Sequence, residues 1–168
     1  MKLEKIDTVL YIQPGAPVPV VLSDEYNLSL FYYYDKFFAE NITVDMPVER
    51  NSNEDKGIAH IKFDIYLIYK FGYPNVEVLQ SHPYYHLGLE PYNIFEVVES
   101  DWVKEIEIRN RVHPFHNRLR YLMYKHFIIT FEDSTFECIA RGLEISFFQN
   151  LTMKEALKTF SENFIKFT

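Results

Sequence analysis

A chain of 168 residues with 48% hydrophobic and 24% charged residues has the composition of a globular domain, and its length allows roughly 70% of the unfolded surface to be buried. The net charge of −7 speaks against nucleic acid or an anionic membrane as a partner, because phosphate contacts need a basic face. Cys138 is the single cysteine, so no internal disulfide is expected and a reducing, cytoplasmic setting fits.

Met1 to Ile12 carries Glu4 and Asp7 among short apolar pieces, which interrupts any secretory core, and no apolar run reaches the length of a membrane span. Thr8, Leu10 and Ile12 alternate as a first short strand. The stretch Gln13 to Pro19, with its prolines and Gly15, reads as an extended connector. Tyr26, Leu28, Leu30, Tyr32 and Tyr34 then alternate as a second strand, which Phe37 to Ala39 continues or turns away from. A further strand is expected over Ile42 to Val48, and a polar loop over Glu49 to Gly57.

The strongest alternation follows. Ala59, Ile61, Phe63, Ile65 and Leu67 share one face and His60, Lys62, Asp64 and Tyr66 the other, which predicts a long central strand to Tyr69 with one dry face. Gly72, Pro74 and Asn75 end it, Gln80 to Pro91 is an irregular loop, and Tyr92 to Val98 returns to strand. Ser100 stands as an N-cap before Asp101, with Trp102, Val103 and Ile106 at helical spacing and Pro114 limiting the helix near Arg111. A short helical turn is expected over Leu119 to Tyr124.

His126 to Phe131 and Thr135 to Phe148 read as a hairpin joined at Glu132, Asp133 and Ser134. Phe136, Cys138 and Ala140 are out of phase with Leu143, Ile145 and Phe147, and a β-bulge at Gly142 would restore them to one side. Thr152 and Glu155 have capping-box spacing before a helix whose buried stripe is Met153, Leu157, Phe160 and Phe164. These elements make a single α+β domain over residues 1 to 168, a predominantly antiparallel sheet with about two packed helices. The 17% aromatic content suits such strands, and an aromatic cluster left exposed would mark a binding surface.

Five of the six histidines fall between His82 and His126, the most localised chemical bias in the chain. His113 and His116 have an i, i+3 spacing, and a metal site would need a further ligand such as His82, His126, Asp133 or Glu137, none of which stands at a diagnostic interval. No metal and no cofactor is therefore assigned. Glu132, Asp133 and Glu137 with a histidine suit acid–base work, although Asp133-Ser134 suits a turn and Glu137 suits an ion pair with Arg141. Cys138 on an apolar strand face reads as a small buried hydrophobe. Ser134 lacks the elbow of serine hydrolases, and no phosphate-binding loop or dinucleotide fingerprint is present.

The run His126-Phe-Ile-Ile-Thr-Phe-Glu-Asp-Ser-Thr-Phe-Glu-Cys-Ile-Ala140, preceded by Trp102, Asn110 and His113-Pro-Phe-His116, resembles a family of uncharacterised bacterial proteins. The resemblance takes in Gly88-Leu89 with Tyr92, His82-Pro83, Gly72 with Pro74-Asn75, and Gly15 with Pro17, so it spans roughly residues 15 to 145. It implies a shared fold and brings no activity with it. Histidine stands in the family pattern at the position of Glu132, and an acidic residue at that of Val76. This chain departs from both.

The expected function is that of a non-catalytic binding or regulatory protein, of the immunity-like kind that neutralises a bacterial partner through an acidic, aromatic-rich surface. The partner is expected to be a protein. Two alternatives stand beside it: a small metal-binding protein or hydrolase using the region His82 to Glu137, and a structural homo-oligomer. The candidate site residues are His82, Trp102, Asn110, His113, His116, His126, Asp133 and Glu137, and the enzyme reading requires at least three of them to converge.

Overall fold

The computed structural model describes residues 1–7, 12–35 and 56–164. The expected strand residues Thr8 and Leu10, the segment Phe37 to Ala39, the strand Ile42 to Val48 and nearly all of the loop before Gly57 lie outside these residues. Ile12 forms an isolated antiparallel bridge with Tyr34.

Among the described residues nine strands form two antiparallel sheets, and the fold is α+β with most of its regular structure in strands. The first sheet contains β1 (Lys2–Lys5), β5 (Ile68–Gly72), β6 (Ile94–Val98), β7 (Lys125–Thr130) and β8 (Thr135–Ala140) in the order β1-β6-β7-β8-β5. The second contains β2 (Val20–Ser23), β3 (Leu28–Asp35), β4 (Lys56–Asp64) and β9 (Gly142–Phe148) in the order β2-β3-β4-β9. Two α-helices are described, α1 (Asp101–Arg109) and α2 (Met153–Phe164). No helix among the described residues is long and apolar enough to cross a membrane.

Period-two alternation puts the core between the sheets. Leu28, Leu30, Tyr32 and Tyr34 of β3 and Ala59, Ile61 and Phe63 of β4 meet Phe127 and Ile129 of β7 and Phe136, Cys138 and Ala140 of β8. Phe63 stacks on Phe136 with ring centroids 5.3 Å apart, and each such buried side chain contributes about 1.5–3 kcal/mol of hydrophobic stabilisation. The outer face of the four-stranded sheet is closed by α2, where Met153 and Ala156 pack on Phe31 and Ile58. The outer face of the five-stranded sheet is closed by the 76–90 loop, where Leu79 and Leu89 pack on Phe95, Val97 and Ile128.

The long strand expected from Ala59 to Tyr69 is two strands in different sheets. Ile65 takes a left-handed backbone (φ 41°), and the chain passes from β4 to β5 through Ile65 to Leu67. Arg141 marks the same passage from β8 to β9, and its N–H donates to the Asp64 carbonyl at 2.8 Å. The pairs Asp64↔Gly142 and Ile68↔Ile139 enclose three residues on one strand and two on the other. The extra residue therefore lies within Ile65 to Leu67 and not at Gly142, as a bulge in a strand that changes sheets. The out-of-phase residues Leu143 and Ile145 still reach the common core, but from the opposite sheet, and Phe147 is left 44% exposed. The second face of β4 is dry in part as well, because α2 covers His60.

Local signals act as expected at both helices. Ser100 Oγ accepts from Val103 N–H at 3.4 Å, and Thr152 and Glu155 form a reciprocal box, Glu155 Oε2 accepting from Thr152 N–H at 2.8 Å. α1 ends at Arg109 and continues as a 3₁₀ turn, Asn110–Val112, while the short turn before β7 is a 3₁₀ segment, Arg118–Met123.

Candidate functional site

The outer face of the five-stranded sheet carries the chemistry. Register places Lys70 opposite Glu137 and Glu137 opposite Ile128, with His126 in the next row opposite Ile139 and Val97. Lys70, Glu137 and His126 thereby share one face of three adjacent strands. The loop that follows β5 lowers His82 onto this face, and α1 brings Ser100 and Trp102 from the other side.

His82, His126 and Glu137 converge. His126 Nε2 lies 2.9 Å from Glu137 Oε2, and His82 Nε2 lies 3.5 Å from Oε1, close to the carboxylate but without the geometry of a hydrogen bond. Both imidazoles are buried, and the Glu137 side chain is 14% exposed. Ser100 Oγ stands 2.9 Å from His126 Nδ1. Tyr84 and Trp102 frame the His126 ring edge-on at 5.6 and 5.0 Å, and the Lys70 ammonium sits over the Trp102 ring and 3.9 Å from Glu137.

The protons follow from the acceptors. His82 Nδ1 accepts from Tyr84 N–H at 3.2 Å, so the ring proton sits on Nε2 and faces the carboxylate. A nitrogen in that state is a donor and no metal ligand. Burial lowers the pKa of His126 despite the opposing hydrogen bond to Glu137, which keeps the ring neutral at pH 7. Its Nε2–H then donates to Glu137, and its Nδ1 lone pair accepts from the Ser100 hydroxyl. Burial alone would raise the pKa of Glu137, but the hydrogen bond from His126, the nearby His82 ring and the charge of Lys70 hold it well below the usual carboxylate range. The arrangement is a buried carboxylate, a neutral imidazole base and a hydroxyl in series. Among the described residues, no group of three or more His, Cys, Asp or Glu is arranged to hold a metal ion.

Asn110 and His116 belong to a second group. His116 Nε2 lies 2.9 Å from Glu107 Oε1 and its Nδ1 3.3 Å from Asn110 Oδ1, while Arg111 forks onto Glu107 at 3.1 and 2.8 Å. Arg111 first, and His116 with it, holds the Glu107 carboxyl below its ordinary pKa. His113 joins neither group: its Nδ1 accepts from Phe115 N–H at 3.1 Å on an exposed loop. Asp133 is exposed in the hairpin turn, which Phe131 N–H closes onto the Ser134 carbonyl at 2.8 Å. Glu137 pairs with the histidines and Lys70 in place of the expected Arg141, whose guanidinium instead lies 5.4 Å from the Tyr124 ring centre.

Between the two groups opens a cleft of about 590 Å³, with Ser100 and Glu107 in its wall beside Val103, Tyr121, Leu122 and Tyr124. Sequence reasoning placed Ser100 as a helix cap and stopped there, and it passed over Lys70, Tyr84, Glu107 and Arg111. The cap signal at Ser100 and the i, i+4 spacing of Glu107 and Arg111 were local. The approach of Ser100 to His126 depends on the position of α1 over β7, which no local pattern encodes. No family model, curated protein or solved structure matches the chain.

Proposed function

We propose that this chain is a binding and regulatory protein that engages another protein through the segment between α1 and β7. The observation that supports this reading is the exposure of five apolar side chains in that one short excursion, Val112, Phe115, Leu119, Leu122 and Met123, with Ile108 at the end of α1 beside them. Val112 is 90% and Phe115 82% exposed. Side chains of this kind lose about 1.5–3 kcal/mol each by standing in water instead of a partner's surface.

Charge sets the chemistry of the partner. Residues 108–125 carry Arg109, Arg111, Arg118, Arg120 and Lys125 and no carboxylate, in a chain whose net charge is −7. Arg109, Arg111 and Lys125 are held by Glu105, Glu107 and Glu96, whereas Arg118 and Arg120 make no ion pair among the described residues. The complementary surface is acidic with apolar pits. That differs from the basic partner suggested by net charge alone, because the apolar side chains and the free cations occupy the same excursion. An immunity-like neutralising role is one form this binding takes.

The test uses Val112→Asp and Phe115→Asp, which reverse the chemistry of the face without entering the core. Wild type and variants, immobilised at equal density, are cross-linked in lysate and the captured proteins compared by mass spectrometry. An acidic protein held by wild type and lost by both variants supports the reading. Identical capture profiles sink it. Sedimentation of the purified protein separates the self-association reading, in which wild type dimerises and Phe115→Asp does not.

A further inference from the structure

We propose that Ser100, His126 and Glu137 act as nucleophile, base and orienting carboxylate, and that they hydrolyse a carboxylic ester whose apolar acyl chain lies in the cleft against Val103, Tyr121, Leu122 and Tyr124. The inference goes beyond the binding reading and rests on the Ser100, His126 and Glu137 side chains, while Leu122 belongs to both surfaces. Its geometric basis is the series Ser100 Oγ to His126 Nδ1 at 2.9 Å and His126 Nε2 to Glu137 Oε2 at 2.9 Å, the two contacts that an activated serine requires. Ser100 is the member of the series that lines the cleft.

Three further features bear on this assignment. Ser100 follows a strand and opens a helix, and Glu99 before it holds a left-handed backbone (φ 58°) without being glycine. That passage places Ser100 at a sheet-to-helix corner, 4% exposed and with an ordinary backbone (φ −53°, ψ 130°), without the strained serine or the glycines of the usual elbow. The N–H groups of Asp101 and Trp102 open α1 and have no carbonyl partner within the helix, so they stand as donors for a developing oxyanion. The capping bond from Val103 N–H to Ser100 Oγ is long, at 3.4 Å, and the hydroxyl is shared between His126 and the Tyr84 side chain. A helix cap alone accounts for neither the buried imidazole behind Ser100 nor the carboxylate behind that imidazole.

In the first step Ser100 Oγ bonds to the acyl carbon and its proton passes to His126 Nδ1. The ester C–O bond then breaks, and His126 returns that proton to the departing alkoxide. Water attacks the Ser100 ester, giving one proton to His126, and the acid leaves as that proton is restored to Ser100 Oγ. Ester and water become acid and alcohol with no other reactant. Glu137 orients the ring throughout and stabilises the imidazolium it transiently becomes.

The test treats the intact protein with a fluorophosphonate, which forms an Oγ–P bond at an activated serine and expels fluoride, and separately measures p-nitrophenyl butyrate hydrolysis. The modified residue is located by mass spectrometry. Ser100→Asn is the informative variant, since asparagine keeps the helix cap and removes the nucleophile. Labelling at Ser100, with hydrolysis lowered about 1000-fold in Ser100→Asn, supports the proposal. Absence of labelling, labelling elsewhere, or equal hydrolysis by wild type and Ser100→Asn overturns it. Phe115→Asp is the control for the binding face: loss of partner capture in that variant with hydrolysis intact shows that the two readings stand or fall separately.

Discussion

His126 Nε2 lies 2.9 Å from Glu137 Oε2 across two neighbouring strands, with the imidazole wholly buried and the carboxylate nearly so. Replacing the carboxylate leaves two buried ring donors, on His126 and His82, facing a weaker acceptor. Glu137→Gln is expected to lose about 2 kcal/mol at pH 7, the worth of a buried charge-assisted hydrogen bond. The pH dependence has a definite sign. A carboxyl whose folded pKa is depressed binds fewer protons folded than unfolded, so its stabilisation is full above the unfolded value of about 4.3 and fades as pH falls below it. Urea unfolding at pH 7 and pH 3.5 should show the gap between wild type and Glu137→Gln narrowing at the lower pH without closing, because the folded carboxyl is still ionised there. A constant gap would show that the carboxylate charge is not what stabilises the fold.

A second acid-sensitive element lies on the other sheet. His60 stacks on Phe31 at 4.5 Å and contacts Phe160 of α2 at 4.2 Å, with Nε2 2.9 Å from Ser29 Oγ. Burial first, and the charge of Lys62 second, push its pKa down to about 4. The folded state therefore binds fewer protons than the unfolded chain, whose imidazole titrates near about 6.5, and stability falls as pH drops from that value toward 4. His60→Phe should remove this component while keeping the aromatic contacts. The measurement is the difference in Tm between wild type and variant from pH 7.5 to 4, expected to move in the variant's favour as pH falls. A pH-independent difference would contradict the assignment.

These two histidines also show what the sequence made legible. Alternation identified β3, β4, β7 and β8, and the cap signals identified both helices, because each depends on neighbours two to four residues away. Among the described residues β1 pairs only with β6, and it is largely exposed, so it carries no alternation to read. The turn at Ile65 was hidden because the apolar face of Ala59, Ile61 and Phe63 continues in phase through Ile65 and Leu67, although both of these are exposed where the chain changes sheets. Histidine enrichment marked a stretch in which some candidates do meet in space, but it joined two separate groups. His82 and His126 meet Glu137 through sheet register and a covering loop, while His116 turns to Glu107, and that division is a property of tertiary packing.

The start of α2 offers a local test of the same principle. Thr152 Oγ1 accepts from Glu155 N–H at 3.2 Å, and the Glu155 carboxylate reaches back to Thr152. Thr152→Ala removes the cap and should cost about 1 kcal/mol. The loss should be concentrated in α2, which closes the sheet through Met153 and Ala156. Amide exchange therefore provides the check: protection should fall across Met153–Phe164 more than in β7 and β8. Uniform loss of protection would mean that α2 does not open apart from the rest of the fold.

Gly57 and Tyr34 face each other across β3 and β4, and a Cβ added at Gly57 would enter the Tyr34 ring. The ring has little freedom to move, because it is buried and also meets Phe147 edge-on at 5.1 Å. Gly57→Ala is therefore expected to destabilise by about 1–3 kcal/mol through overpacking, although alanine favours strands more than glycine does. A double-mutant cycle isolates the cause. Tyr34→Leu should cost less in the Gly57→Ala background than in wild type, since the smaller side chain relieves the collision it shares with the new methyl group. Additive losses in chemical unfolding would place the penalty in the backbone at residue 57, and strict additivity would thereby rule out the ring as the group that requires glycine there.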